Sequence, residues 1–356
     1  VDIICLFISA EYLFSRACQK EKEIALELMD KNEVQVVPII LSPCGWLDED
    51  DLSELLALPT DGKPITSFSD LNKAWNIVYE GIKDIVTREL YISNLKLSSN
   101  FIDFINSTEM LSAAHSQKEE VLFDDIFIYP ELSKYDNMRN FDERLSLKLL
   151  IENIHEHPKM LIAGENQSGK TSICKKLFTS FRGKNFIPIY LTDPSYKYHG
   201  KMDNRISEAL EEQYESINIE NIDKQRIVPI IDDFQFAKNK LKHIEDLSKY
   251  KYQVIIVDDI YNLNLQDENL IGTFTHFKIE ELTPLLRNRL IKKWTYLTDK
   301  ETNHINNDNY KRIDEKTELV DRTLGKIFGS GIMPAYPFFI ISIISTYEVF
   351  SKPLDQ

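Results

Sequence analysis

Apolar and polar residues follow one another in blocks over residues 1–90, and the blocks predict an α/β unit. Largely apolar runs at 2–8 and 34–41 predict two buried strands. Between them, apolar residues at helical spacing predict a helix over about 15–31, and a further helix is predicted over about 71–90. Because strand and helix alternate, we expect the strands to form a parallel sheet.

The same alternation returns over residues 121–278, where apolar runs predict a second parallel sheet. Its strands are predicted at Met160–Ala163, Phe186–Leu191, Ile227–Ile231 and Gln253–Val257, with a weaker strand at about 273–279. The polar residues 91–120 predict a linker or a connecting helix, and residues 279–356 are mostly helical by pattern. The predicted fold is therefore α/β, with a helical region at its end.

The chain begins without Met, inside a strand in which nearly every residue is apolar. Strands of this kind usually lie in the middle of a sheet and need a neighbour on each side. The last residues follow closely on an apolar helical pattern. We therefore expect this sequence to be a piece of a longer protein.

Composition and charge argue against several classes of protein. The chain has 356 residues, a net charge of −15 and no long basic run, which argues against a broad nucleic-acid-binding surface but not against a local one. Its four cysteines have no metal-binding spacing, so we expect free thiols in a reducing cytoplasm. The longest apolar run, 337–344, is too short to span a bilayer, and no signal peptide is visible. We expect a cytoplasmic protein with neither a membrane nor a nucleic acid as its partner.

The strongest candidate for chemistry is the segment Gly164-Glu165-Asn166-Gln167-Ser168-Gly169-Lys170-Thr171, which fits the phosphate-binding loop pattern. An apolar strand precedes it and apolar residues at helical spacing follow it, as this loop requires. Its backbone N–H groups and the helix start would bind phosphate oxygens. Lys170 would reach the β- and γ-phosphates, and the Thr171 hydroxyl would ligate Mg²⁺. The predicted nucleotide-binding residues here are Gly164, Gln167, Ser168, Gly169, Lys170, Thr171 and Ser172.

Two later strands each end in a pair of acidic residues. The earlier strand is followed by Asp232 and Asp233, a pattern typical of the second half of an ATPase site. Asp232 would hold the Mg²⁺ ion, and Asp233 would be the catalytic residue that orients or activates the attacking water. The later strand is followed by Asp258 and Asp259, which are either a polar contribution near the γ-phosphate or a solvated strand end. Chain order favours Asp232 for the metal.

Residues 121–356 resemble the nucleotide-binding module of the STAND ATPases, signalling relatives of the AAA+ class. The resemblance rests on the loop 164–171 and on the two strands that end in acidic residues. Residues 281–291 are similar to the first turns of the family's helical lid, and residues 331–337 are similar to its Gly/Pro stretch, which places Pro334 at the adenine. The resemblance implies a P-loop domain, a helical lid and the start of a winged-helix region, with ATP or ADP and Mg²⁺ as cofactors.

The sequence departs from this family at one position of the nucleotide site. Many STAND proteins carry an arginine at the end of the fourth strand, and acidic residues stand there in this chain. The positive charge that senses the γ-phosphate therefore has three candidates, Arg287, Arg289 and Arg322. For each of them, an ordinary surface arginine is the other interpretation.

Residues 1–90 resemble the second half of a bacterial TIR domain, which has a flavodoxin-like parallel sheet. The resemblance rests on blocks of sequence in the family's order, at 9–18, 21–25, 37–46 and 58–65. In catalytic TIR domains, one helix glutamate shortly after a Ser-x-x-Cys segment cleaves NAD⁺ at the nicotinamide–ribose bond. The matching residue is Glu21, with Glu23 as the alternative. A carboxylate there would stabilise the oxocarbenium-like charge that develops on the ribose.

Two features separate this segment from an active TIR enzyme. Many TIR enzymes place an aromatic residue four positions before the glutamate, and Ala17 stands there in this chain. The first half of the domain, which brings two strands and the loop over NAD⁺, is not in this sequence. The isolated piece is therefore expected to have no NADase activity. Trp46 is interpreted as a packing residue.

Together the two resemblances imply a prokaryotic antiphage immune sensor. ATP-dependent self-association of the STAND module would bring TIR domains together, and their joint sites would hydrolyse NAD⁺. The expected trigger is a phage protein bound by a domain beyond residue 356. The alternative is a TIR domain that acts as a non-catalytic scaffold for oligomerisation on an ATP switch. Glu21 favours the enzyme, Ala17 favours the scaffold, and the TIR blocks argue against a plain ATPase motor or chaperone.

Overall fold

The computed structural model describes residues 2–31, 33–53, 55–108, 115, 118–135, 143–192, 202–218, 222–259, 272–297, 307–328 and 334–350. Contacts between residues divide the chain into two compact units. Unit 1 comprises Val1–Leu95, Arg182–Ile187 and Asn218–Asp223, and unit 2 comprises Lys96–Phe181, Pro188–Ile217 and Lys224–Gln356. The two units are described separately below.

Unit 1 is built on a pair of parallel strands with helices beside them. Its elements are β1 (Asp2–Ile8), α1 (Ala10–Phe14), α2 (Arg16–Asp30), β2 (Val34–Ile40), α3 (Asp50–Ser53) and α4 (Leu71–Ser93). Strands β1 and β2 pair in parallel, as predicted. The pattern predicted one helix between them, but two serines start two helices. Ser9 accepts a hydrogen bond from the Tyr12 backbone N–H, and Ser15 accepts one from the Cys18 backbone N–H.

Strand β2 is buried on both of its faces. Val36 and Ile40 belong to an apolar cluster that includes residues of α2. Val37 and Ile39, which point the other way, belong to a second cluster that includes residues of α4. This two-sided burial explains why the strand is almost entirely apolar in the sequence.

Seven further strands form a second sheet. They are β3 (Glu131–Tyr135), β4 (Glu143–Ser146), β5 (Lys159–Ala163), β6 (Ile187–Leu191), β7 (Ile227–Ile231), β8 (Gln253–Val257) and β9 (Thr275–Ile279). Their order across the sheet is β4-β3-β9-β5-β8-β7-β6. Strand β5 pairs in parallel with both β8 and β9, and β7 pairs in parallel with β8. The prediction of a mostly parallel sheet that contains the apolar strands β5, β6, β7, β8 and β9 is confirmed.

Strands β3 and β4 were not predicted from the sequence. They pair antiparallel with each other, and β3 also pairs antiparallel with β9. Leu132 of β3 is fully buried opposite Ile279, but its neighbours in the strand are polar. A five-residue strand with so few apolar side chains gives no run and no clear alternation, so its pairing decides its structure.

In the described part of the chain, six helices precede or connect these strands. They are α5 (Ser99–Asn106), α6 (Phe123–Ile126), α7 (Leu147–Glu152), α8 (Lys170–Arg182), α9 (Met202–Gln213) and α10 (Lys240–Leu247). Helix α5 lies in the segment that the sequence predicts as a linker or a connecting helix. It buries Phe101 and Ile105, and the Phe101 ring packs edge-on against Phe178 of α8 with centroids 4.9 Å apart.

The described part of the C-terminal region consists of helices, as its pattern predicts. They are α11 (Pro284–Tyr296), α12 (Asn307–Phe328) and α13 (Pro337–Phe350), and they share one apolar cluster. Inside it, the Lys316 ammonium donates to the Glu348 carboxylate, which also accepts from the Trp294 indole at 3.2 Å. Among the described helices, none is long and apolar enough to cross a membrane. All four cysteines lie in described residues and are free thiols, as predicted.

Candidate functional site

The candidate site lies where β5 and β7 end. In a parallel sheet the carboxyl ends of the strands meet at one edge, and ligands bind there. Strand β5 lies inside the sheet between β9 and β8, and it runs into the glycine-rich loop and then into α8. Strand β7 ends at Ile231, and Asp232 follows it directly. The sheet therefore brings the loop and Asp232 to the same edge.

The two glycines of the loop are each required by local geometry. Gly169 has φ of +95°, a backbone conformation that favours glycine. A Cβ atom on Gly164 would lie 2.5 Å from Ile279 Cδ1 and 2.5 Å from Ser168 Oγ, which leaves no space for a side chain. Gln167 is also left-handed, with φ of +64°. These constraints produce a tightly turned loop at the start of α8.

The loop places polar groups where phosphate oxygens would bind. The Lys170 ammonium donates hydrogen bonds to the Gly164 and Glu165 carbonyl oxygens, at 3.0 and 3.2 Å, so it lies across the loop. Ser168 is 4% exposed, and its Oγ atom has no hydrogen-bond partner among the described residues. A buried hydroxyl without a partner is costly, and an anion in the loop would accept its proton. Ser172 lies in the first turn of α8, where backbone N–H groups point outward.

Thr171 and Asp232 are joined directly. The Thr171 hydroxyl donates to Asp232 Oδ2 at 2.7 Å, and the Asp233 backbone N–H donates to Asp232 Oδ1 at 3.0 Å. Asp232 is 1% exposed; burial raises the pKa of its carboxyl, while the Thr171 hydrogen bond works against the rise. Hydroxyl and carboxylate oxygens are the ligands that Mg²⁺ prefers, so this pair fits the predicted metal site.

The other acidic residues at this edge are held differently. Asp233 has left-handed backbone geometry, with φ of +53°, and its carboxylate accepts a hydrogen bond from the Gln235 side chain at 3.1 Å. Asp258, at the end of β8, accepts from the Asp259 backbone N–H at 2.7 Å. The Thr171 contact on Asp232 supports the assignment of the metal to the earlier strand. The catalytic role of Asp233 stays a prediction.

A cavity of about 220 Å³ opens beside the loop. Part of its wall comes from the loop and the start of α8, and the rest is mostly apolar. The apolar part is formed by Phe123, Ile126, Phe127, Ile128, Pro130, Ile173, Pro337, Phe338 and Ile341. Pro337 belongs to the Gly/Pro stretch that the sequence singled out, but the others lie in no motif and come from three separate parts of the chain. A mostly apolar cavity beside a phosphate loop has the character of a site for a planar base.

The assignment of Pro334 to the adenine stays a prediction. Pro337 lines the cavity, whereas Pro334 is absent from its lining, and the Pro334 carbonyl accepts a hydrogen bond from the Tyr336 backbone at 2.9 Å. Residues 331–333 of the same Gly/Pro stretch lie outside the described residues. The Ala335 backbone N–H donates to the Glu281 carboxylate at 3.0 Å, which fixes the start of α13 to the segment before α11.

Tyr336 connects this C-terminal segment to the phosphate loop. It is 2% exposed, and its hydroxyl lies near the Glu165 carboxylate. Burial raises the pKa of the Tyr336 hydroxyl, and the carboxylates of Glu165 and Glu281 add to the rise. Nothing in the sequence pattern indicated this contact, because the two partners are far apart in the chain.

The three arginines proposed to sense the γ-phosphate lie in different surroundings. Arg287 forms an ion pair with Asp321 at 3.3 Å, and its Nε atom is buried without a hydrogen-bond partner among the described residues. Arg289 is exposed, and Arg322 is exposed and paired with Glu318. The assignment of one of them to the phosphate stays a prediction.

In unit 1, the predicted catalytic Glu21 lies in α2 with an exposed side chain, and Glu23 is exposed as well. The residue between them, Lys22, is buried and forms an ion pair with Glu49 at 2.8 Å. Burial raises the pKa of Tyr12 to about 12, with smaller contributions from Cys18 and Glu21, so the phenol lies near the Glu21 carboxylate. The role of Glu21 stays a prediction.

Trp46 has the surroundings of a packing residue. It is buried in the same apolar cluster as Ile40. A Cβ atom on Gly62 would lie 2.2 Å from the Trp46 ring, and Gly62 has φ of +70°. The turn at Gly62 therefore closes directly over the indole, which supports the packing interpretation.

Comparison with known proteins finds partial likenesses. No protein-family model matches the chain. A stretch of 88 residues, 24% of the chain, is 36% identical to the "Uncharacterized protein y4lF" of Sinorhizobium fredii and spans 27% of that protein's length. The chain thus matches about a quarter of this curated relative.

Among solved structures, domain III of the replication initiation protein DnaA from Thermotoga maritima matches with a TM-score of 0.35 and 17% identity. The match covers 59% of this chain and 84% of the DnaA domain III chain. AMPPCP-bound DnaA from Aquifex aeolicus has a TM-score of 0.32 and 17% identity, covering 49% of this chain and 59% of its own. PCH-2 from C. elegans has a TM-score of 0.33 and 12% identity, covering 58% of this chain and 65% of its own. These likenesses are partial and concern the fold, so the function is inferred from the side chains of this chain.

Proposed function

We propose that unit 2 is an ATP-binding module that uses Mg²⁺ and hydrolyses ATP slowly, as a switch. The observation that carries this proposal is the 2.7 Å hydrogen bond from Thr171, the last residue of the loop, to the buried Asp232 at the end of β7. This hydrogen bond links the phosphate-binding loop to the aspartate that follows β7, and a site for phosphate and Mg²⁺ needs both of these parts side by side. The cavity beside the loop adds space for the base.

Each residue has a definable task in such a site. The backbone N–H groups of the loop and the Lys170 ammonium would bind the phosphates, and Ser168 Oγ would donate to one of their oxygens. The Thr171 hydroxyl directs its proton to Asp232, so its lone pairs would be free to ligate Mg²⁺. A bound Mg²⁺ ion neutralises charge on the β- and γ-phosphates. Asp233 would hold the attacking water.

Replacement of Lys170 tests the proposal. Lys170→Ala removes the only cationic side chain of the loop, and we expect calorimetry with ATP and Mg²⁺ to show at least a hundredfold loss of affinity. Lys148→Ala is the matched control, because Lys148 is exposed, pairs only loosely with Glu152 at 3.8 Å and lies in α7. Equal ATP affinity in the wild type and in Lys170→Ala would remove the loop from the nucleotide site.

For unit 1 we propose the function that its resemblance to TIR domains implies. It would be a TIR-type domain that cleaves NAD⁺ when several copies assemble in the cytoplasm. Its supports are the sequence blocks, the exposed Glu21 on α2 and the nearby Tyr12 hydroxyl, which is buried without a hydrogen-bond partner among the described residues. Assembly would follow ATP binding and a phage-protein trigger. The alternative is a TIR domain that only assembles.

Glu21→Gln in the full-length protein separates these alternatives. The amide keeps the shape but loses the charge that stabilises an oxocarbenium-like state, so NAD⁺ cleavage should be lost while assembly, followed by particle size, persists. Glu23→Gln is the control, since residues two apart on a helix point in different directions. If the activated wild type consumes no NAD⁺, the scaffold alternative replaces the enzyme.

A further inference from the structure

Tyr190 contacts Asp232 from the neighbouring strand of the sheet. Its hydroxyl, at the end of β6, donates a hydrogen bond to Asp232 Oδ2 at 3.2 Å. This is the same oxygen that accepts from Thr171 at 2.7 Å. Tyr190 is 8% exposed and Asp232 is 1% exposed, so both hydrogen bonds are shielded from water.

The donors around Asp232 fix its carboxylate completely. Oδ1 accepts from the Asp233 backbone N–H at 3.0 Å, and Oδ2 accepts from both hydroxyls. A carboxylate that is held on both oxygens cannot rotate about its Cβ–Cγ bond without losing a hydrogen bond. Because Thr171 donates its only proton to Oδ2, the orientation of Oδ2 determines where the Thr171 lone pairs point.

Tyr190 is itself held rigidly. Its backbone N–H donates to the Gln213 side-chain oxygen at 3.0 Å, and its carbonyl accepts from the Gln213 amide at 2.6 Å. Its ring packs against Phe104 with centroids 5.0 Å apart. The phenol is therefore placed before any ligand arrives, which is what a supporting residue of a metal site requires.

We propose that Tyr190 is the positioning residue of the magnesium site: its hydroxyl orients Asp232, and through Asp232 it orients the Thr171 hydroxyl toward the metal. This inference rests on the proposed function of unit 2. It predicts that Tyr190 contributes to nucleotide binding only when Mg²⁺ is present. Groups that hold metal ligands from outside typically contribute tenfold to a hundredfold to metal affinity.

The test measures the effect of Mg²⁺ on ATP affinity rather than activity alone. Calorimetry with ATP is carried out in EDTA and in a series of Mg²⁺ concentrations. Tyr190→Phe keeps the ring and its packing, so ATP affinity in EDTA should stay within about twofold of the wild type. The Mg²⁺ concentration that gives half of the affinity gain should rise at least tenfold, and a high Mg²⁺ concentration should restore binding.

Tyr214→Phe is the matched control. Tyr214 is also a buried tyrosine, but its hydroxyl donates to the Pro188 carbonyl oxygen at 2.8 Å. Loss of that hydrogen bond should lower the melting temperature and leave the Mg²⁺ dependence unchanged. Circular dichroism and melting curves for both variants show that each is folded before its Mg²⁺ dependence is compared.

The outcomes separate this inference from the proposed function. A wild type that gains ATP affinity with Mg²⁺, together with a Tyr190→Phe variant that gains it at the same Mg²⁺ concentration, overturns the role of Tyr190 alone. The same rightward shift in Tyr190→Phe and Tyr214→Phe also overturns it, because the effect is then one of stability. A wild type that does not bind ATP overturns the proposed function and this inference with it.

Discussion

The buried ion pair of the C-terminal helices gives a sharp test of how these helices are held together. The Lys316 and Glu348 side chains are only 4% and 7% exposed, and they lie on α12 and α13. Glu348 also accepts from the Trp294 indole at 3.2 Å, and Lys316 donates to Thr295 Oγ1 at 3.4 Å. Trp294 and Thr295 both lie on α11, so the ion pair contacts this helix as well. Burial lowers the pKa of Lys316, while Glu348 works against the fall. The pair thus joins three helices.

Lys316→Met keeps the length of the side chain but leaves the Glu348 carboxylate buried without its cation. Removal of one partner of a buried pair costs about 3–5 kcal/mol. Since 1.36 kcal/mol is a factor of ten, the helices should open locally about 150 times more often or more. Adding Glu348→Gln removes the unpaired charge, and the amide oxygen still accepts from Trp294. The double variant should therefore recover most of the loss.

Hydrogen exchange followed by mass spectrometry measures this opening directly, since it reports local rather than global unfolding. Peptides from the three helices should exchange much faster in Lys316→Met and return to within about tenfold of the wild type in the double variant. Lys311→Met is the control, because Lys311 is 78% exposed and its ion pair with Glu315 contributes little. If Lys316→Met exchanges no faster than Lys311→Met, the ion pair does not hold the helices.

Two further predictions concern the nucleotide site. Asp232→Asn should reduce Mg²⁺-dependent ATP hydrolysis far more than ATP binding. Asp258→Asn should reduce hydrolysis less, because Thr171 donates to Asp232. If a phosphate-release assay shows the larger loss of hydrolysis in Asp258→Asn, the metal-binding carboxylate follows β8 and not β7. Glu281→Ala removes the carboxylate that accepts from the Ala335 backbone N–H at 3.0 Å and should raise amide exchange in Ala335–Ile341 about fivefold, as expected for about 1 kcal/mol. Unchanged exchange there would mean that the contact does not hold this segment.

The sequence predicts the elements whose signal is local. Apolar runs mark β5, β7 and β8 because each is buried on both faces. The phosphate loop is visible because its glycines are required by its own backbone and by close neighbours. The helix predicted from about residue 15 begins at its capping serine, Ser15, which is also a local signal, whereas the five-residue helix α1 before it was not predicted.

Features that depend on distant partners were not predictable in this way. Strand β3 is polar apart from Leu132, and its place is set by pairing with β9 more than a hundred residues later in the chain. The cavity wall combines the segment around Phe127, which carries no motif, with the start of α13, where only Pro337 belongs to the Gly/Pro stretch. Tyr190 reaches Asp232 only because β6 and β7 are neighbours in the sheet. A residue that supports a site through another side chain belongs to no motif of fixed spacing, so the sequence alone does not reveal it.

The most direct test of the central claim is to locate a bound nucleotide. Photolabelling with 8-azido-ATP and Mg²⁺, followed by mass spectrometry, reports which residues lie beside the base. We predict that the label falls on the cavity wall, in Phe123–Pro130 or Pro337–Ile341, that excess ATP removes it, and that Lys170→Ala abolishes it. Label that lies elsewhere, or that survives both excess ATP and Lys170→Ala, would contradict the claim that the loop and this cavity form one nucleotide site.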